Sequence, residues 1–131
     1  MKETNGVLSM VRIASGLTAA ALVVAVAAPA LARTETVTGE LVEQACYLKD
    51  KKNVGGSHKD CAETCARRGQ PLAVVTAGGK IYQITGPLAA DNNTKLIPHL
   101  AHTIEITGDV SEKDGAVMIA ADAGSLKMAV R

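Results

Sequence analysis

From residue 33 onward the chain alternates short β-branched or apolar runs with polar, glycine-bearing breaks. Thr36–Val42 predicts a first strand, and Gly39 inside it predicts a bulge or a sharp coil. Asp50–Gly56 is polar and reads as a loop. Ser57–Gly69 predicts a helix. Ser57 is its expected cap, with Asp60 three residues on as a weaker capping box. Arg67 and Arg68 fall in its last turn, Gly69 stops it and Pro71 prevents continuation. Leu72–Thr76 and Ile81–Thr85, separated by Ala77-Gly78-Gly79-Lys80, predict a hairpin. Thr94–His102 predicts a short helix capped by Asn93 and limited by Pro98. Thr103–Val110 alternates, with Ile104 and Ile106 on one face. Ser111–Gly115 is a turn, Ala116–Ala121 a further strand and Leu126–Val130 a last one.

The order is strand, helical insertion, hairpin, helix, strand, strand. That predicts a mainly β fold with short helices, an OB-fold-like five-stranded Greek-key barrel with a helical insertion after strand 1. Val37-Thr38-Gly39-Glu40-Leu41 and Ile106-Thr107-Gly108-Asp109-Val110 echo each other. Two coiled strands with Gly at the same point suit a closed barrel. An open α+β sandwich is the alternative.

The residues before this domain have a different character. Lys2 and Arg12 precede an apolar, Ala-rich run from Ile13 to Ala32, which ends in Ala30-Leu31-Ala32, an A-x-A cleavage signature. Residues 1–32 are expected to be a signal peptide and residues 33–131 a single domain, exported to the periplasm or secreted. An uncleaved anchor is the rival, since the run approaches the roughly 20 residues a spanning helix needs. Any membrane attachment is expected to come through that segment alone.

Composition narrows the function. The chain has 131 residues and formal net charge +1. Without Lys2, Glu3 and Arg12 its charges balance, so there is no excess of basic residues to bind a phosphate backbone. Phe and Trp are absent and only Tyr47 and Tyr82 are aromatic. Platforms for stacking bases or sugars are therefore nearly missing, and no nucleic-acid partner is expected. No Ser/His/Asp signature, phosphate-binding loop or paired carboxylates stand out, so a non-enzymatic role is favoured.

The chemistry concentrates in Cys46 and His58-x-x-Cys61-x-x-x-Cys65, which hold all three cysteines. His58, Cys61 and Cys65 fall on one face of the predicted helix. Cys46, expected at the end of the first strand, can reach that face across residues 47–57. Four readings compete. A structural disulfide is one. Cys61 and Cys65 suit each other poorly, because i, i+4 β-carbons lie roughly 5–6 Å apart and a disulfide needs about 3.8 Å. Cys46 bonded to Cys61 or to Cys65 fits better and would contribute about 3 kcal/mol. A metal site of Cys46, His58, Cys61 and Cys65 is the second, matching zinc in ligand type and number, or copper(I) in softness. A redox thiol at Cys61, near a helix N-terminus with His58 and Lys59, is the third. Covalent haem is disfavoured, because Ala66 stands where C-x-x-C-H would place its histidine. His99 and His102 could share a metal by spacing, but read better as half-exposed polar residues near a strand start.

Ala45-Cys46-Tyr47-Leu48, His58-x-x-Cys61-Ala62-x-x-Cys65 and Gly69-x-Pro71, followed by a hairpin and an Ile-x-Ile-x-Gly-x-Val strand, resemble a group of small exported bacterial OB-like domains. The resemblance implies a fold and an export route and names no activity. The expected function is a binding or accessory domain whose Cys/His cluster forms a structural disulfide or a soft-metal site, acting on a protein or small ligand of the cell envelope. A thiol–disulfide redox protein using Cys61 and an interaction module docking a membrane-bound partner are the alternatives.

Overall fold

Two long strands change partners at their glycines, and that closes the sheet. In the computed structural model, which describes residues 32–129, β1 (Arg33–Glu43) pairs with β4 (Thr103–Lys113) from Arg33 to Glu40, then with β2 (Leu72–Val75) from Glu40 to Glu43. β4 likewise leaves β1 at Val110 and pairs with β5 (Ala116–Ala121) from Gly108 onward. A Cβ on Gly39 would sit 2.2 Å from the Val75 carbonyl oxygen, and one on Gly108 would sit 2.3 Å from that of Ala120. Only glycine lets the crossing backbones approach this closely.

β3 (Ile81–Thr85) completes the hairpin with β2 and runs parallel to β5, with Gln83 opposite Met118. The ring β1-β2-β3-β5-β4 returns to β1. This is a closed five-stranded mixed barrel, OB-fold-like in its Greek-key order, and closure excludes the open α+β sandwich. A short outer strand, β6 (Lys127–Met128), adds to β4 at Ile104 and Glu105. The expected signal peptide up to Leu31 and the end of the last strand at Val130 lie outside the described residues.

The alternating faces of the strands fill the barrel with aliphatic side chains. Val37, Leu41, Val74, Ile84, Ile104, Ile106 and Ile119 are buried. Leu88, Leu96, Ile97 and Leu100 join this core from the connector between β3 and β4. That connector is not the expected helix over Thr94–His102. It contains a one-turn segment, Ala90–Asn93, with Asp91 at φ 54 and Asn92 at φ 53, and a 3-10 turn, Ile97–His99. Pro98 cannot donate an N–H to a continuing helix, and it disfavours the α conformation in the residue before it.

Two helices fill the connection between β1 and β2, as the predicted insertion requires. α1 (Gln44–Lys49) follows β1 directly, and α2 (Lys59–Arg67) follows a 3-10 turn at Gly56–His58. Ser57 does not cap α2. It lies within the 3-10 turn, and no side chain caps the helix start. The end of α2 is as expected. Gly69, at φ 84, donates to the Ala66 carbonyl and Gln70 donates to that of Cys65, the paired bonds of a Schellman stop.

α2 meets the core through Ala62 and Ala66, one turn apart and both buried. Two methyl groups anchor a helix weakly, at about 0.8 kcal/mol each. Asn93 strengthens the docking. It is 4% exposed, and its side-chain amide donates to the carbonyls of Ala66 at 3.0 Å and Gln70 at 2.9 Å. Expected to cap a following helix, Asn93 instead clamps the end of a preceding one.

Candidate functional site

Cys46 is not at a strand end. It lies in the first turn of α1. The strand stops at Glu43, whose buried carboxylate accepts from the backbone N–H of Ala45 at 3.2 Å and of Cys46 at 2.6 Å. Glutamate is not among the preferred capping residues, so this helix start carried little sequence signal. The loop after α1 is tied back by Asn53, whose amide donates to the Cys46 carbonyl at 2.8 Å. Tyr47, next to Cys46, is buried with Val42 and Ala73 on the outer side of the sheet. Cys46 is therefore held at its cap, its carbonyl and its neighbour.

Cys61 and Cys65 lie one turn apart on α2, each beside one of the buried alanines. Packing Ala62 and Ala66 onto the barrel turns the cysteines along the edge of the interface towards α1. The result is convergence: the sulfurs of Cys46, Cys61 and Cys65 all lie within 4.8 Å of one another. All three thiols are free, Cys61 exposed and the other two half-buried.

His58 does not join them. Among the described residues the converging ligand set is the three cysteines alone. The Nε2 of His58 is buried without a hydrogen-bond partner, and the residue lines a cavity of about 10 Å³ with Glu40, Glu43 and Asn53. Because His58 precedes α2 with φ −106 and ψ −1, the face predicted from regular helix spacing does not extend back to it.

The electrostatics set the resting state of one thiol. Cys46 donates to the Glu43 carboxylate, and this bond, with partial burial, pushes its pKa up from 9.0 to about 12. The negative charge of Glu43 and the neighbouring sulfurs act in the same direction. Near neutral pH Cys46 is thus held as the protonated thiol, and a cation that binds there must release that proton. Glu43 was not singled out from the sequence as part of the site, though its place three residues before Cys46 matches the reach of a capping carboxylate.

The cluster can do two things. Three thiolates around one ion at about 2.3 Å lie roughly 3.8–4.0 Å apart, so closing from the observed spread asks for movements of no more than about 1 Å. Alternatively, Cys46 can join one of the α2 cysteines in a disulfide and leave the third free. Among the described residues no helix is long and apolar enough to cross a membrane. Comparison with known protein families, curated proteins and solved structures gave no match.

Proposed function

We propose that this protein is a non-enzymatic, exported OB-fold-like binding domain that holds one copper(I) ion between α1 and α2 through Cys46, Cys61 and Cys65. The convergence of three sulfurs within 4.8 Å carries the reading. Soft thiolates favour copper(I) and zinc over hard cations. Copper(I) accepts three sulfurs as a complete set, whereas zinc prefers a tetrahedron and would need a fourth ligand from outside the cluster. The exposure of Cys61 leaves one edge of the site open to exchange with a partner in the cell envelope. Export is supported by the apolar lead-in and its Ala30-Leu31-Ala32 end.

Native mass spectrometry with parallel alkylation tests the proposal. The expected result is one copper per chain after anaerobic loading, with three alkylatable thiols before loading and none after. A chain two protons lighter with a single alkylatable thiol would assign the cluster to a Cys46 disulfide instead. Three free thiols with no metal retained would defeat both readings.

A second reading, an interaction module, is supported by a groove of about 410 Å³ beside α1. Leu48 is 53% exposed there, and the buried Oε1 of Gln44 lacks a partner. A photoreactive residue replacing Leu48 should then give one discrete crosslinked adduct in cells, and its absence would count against docking at this groove.

A further inference from the structure

A second pair of soft ligands lies away from the thiols. His99 ends the 3-10 turn Ile97–His99, and Met128 lies on the outer strand β6. The Nδ1 of His99 is 3.2 Å from the sulfur of Met128. Met128 is 48% exposed, unlike a methionine used to fill a core gap. β6 is fixed against β4 by the pairing of Met128 with Ile104 and by a bond from the Ala129 N–H to the Thr103 carbonyl. The thioether is therefore presented to solvent on a paired strand.

The contact matters because of what fills it. An imidazole nitrogen and a thioether sulfur each carry a lone pair. With Nδ1 protonated the pair is an N–H···S hydrogen bond, and a cation bound to both atoms would take that proton's place. A soft monovalent ion takes ligand angles of roughly 110–180°, so with bonds of about 2.0 Å and 2.3 Å the two atoms must part from 3.2 Å to about 3.5–4.3 Å, a movement that rotation of the exposed, flexible Met128 side chain supplies. Thioether and imidazole together favour a soft cation, and a weakly donating thioether selects against zinc and harder ions.

We propose that His99 and Met128 form a second, solvent-facing site for a soft monovalent cation, copper(I) or its analogue silver(I). The site uses no cysteine and is independent of the three-thiol cluster. With two protein ligands it holds its ion more loosely than three thiolates would and leaves coordination positions free for exchange.

The test uses silver(I) on the Cys46→Ser/Cys61→Ser/Cys65→Ser variant, followed by NMR of the methionine methyl groups and histidine rings. The Met128 methyl and the His99 ring should shift together and saturate at one equivalent, with the Met118 methyl unmoved. Met128→Leu and His99→Asn should each weaken binding by about tenfold or more, the scale on which even supporting residues alter metal affinity, whereas Met118→Leu should not. If the triple variant does not fold, the wild-type chain loaded with one equivalent is titrated with a second and followed at the same signals. A Met128 methyl that moves no more than that of Met118, or an affinity unchanged in Met128→Leu, overturns the proposal. The result does not depend on whether the thiol cluster binds metal, because the readout is at Met128 and His99.

Discussion

Asn93 offers the sharpest test of how the site is held. Its side chain makes two hydrogen bonds, to the carbonyls of Ala66 and Gln70, and its backbone is left-handed at φ 62. Asn93→Ala removes both bonds and places a Cβ-bearing residue with no local polar compensation in that conformation. Two bonds at about 1 kcal/mol each contribute about 2 kcal/mol. The left-handed conformation adds about 1 kcal/mol for alanine. Asn93→Ala should therefore destabilise by about 3 kcal/mol, lowering the midpoint by about 15 °C for a domain of this size. Asn93→Gly loses the same bonds without the steric term, so it should cost about 1 kcal/mol less. Urea unfolding of the three proteins, with slopes compared, measures both quantities. A loss below about 1 kcal/mol for Asn93→Ala would show that the clamp is not holding α2. A glycine variant less stable than the alanine variant would show that the left-handed backbone carries no strain. Since α2 carries Cys61 and Cys65, both variants should also retain copper less well than wild type in competition with a chelator.

The other predictions concern closure and chemistry. Gly39→Ala should cost about 3 kcal/mol or more in equilibrium unfolding, at the upper end of overpacking effects, because its Cβ would meet the Val75 carbonyl backbone and not a flexible side-chain tip. Cys46→Ser should abolish stoichiometric copper binding, since it removes the only ligand on α1; retention of one tightly held copper would place the ion elsewhere. At pH 8 iodoacetamide should modify exposed Cys61 first and Cys46 last, and Glu43→Gln should speed modification of Cys46 by removing the carboxylate that holds its proton. A folded pKa near 12 against 9.0 means that the native state favours the protonated thiol, so this contribution is present below pH 9 and is lost as pH rises towards 12. Denaturation midpoints between pH 8 and 11 should fall less in Cys46→Ser than in wild type.

Much of the barrel was legible in the chain because strand alternation and turn chemistry are local signals. The β2–β3 hairpin, β4 and β5 followed from apolar and β-branched runs, the alternation of Thr103–Val110 and glycine-bearing turns, although β4 runs on to Lys113 where a turn from Ser111 is predicted. The Gly69 stop of α2 followed from the same local logic. The twin glycines suited closure because a barrel brings crossing backbones close at the middle of its long, coiled strands. Sequence also isolated the three cysteines, since no other residues combine that chemistry with that spacing.

Tertiary structure decided what distance along the chain cannot encode. The helix start at Glu43 depends on a carboxylate folding back onto two amides, a geometry that a weak capping residue does not announce. That start moved Cys46 from a strand end onto α1 and set its proton affinity. His58 fell out of the ligand set because the chain entering α2 is a 3-10 turn, so the three-and-four spacing of a regular helix does not apply there. Asn93 became a clamp, and His99 met Met128, through contacts between segments 23–29 residues apart. Local propensity determined which pieces form. Which side chains face each other was decided by the closed barrel, because packing the alanine face of α2 onto its core leaves one orientation for the thiols beside it.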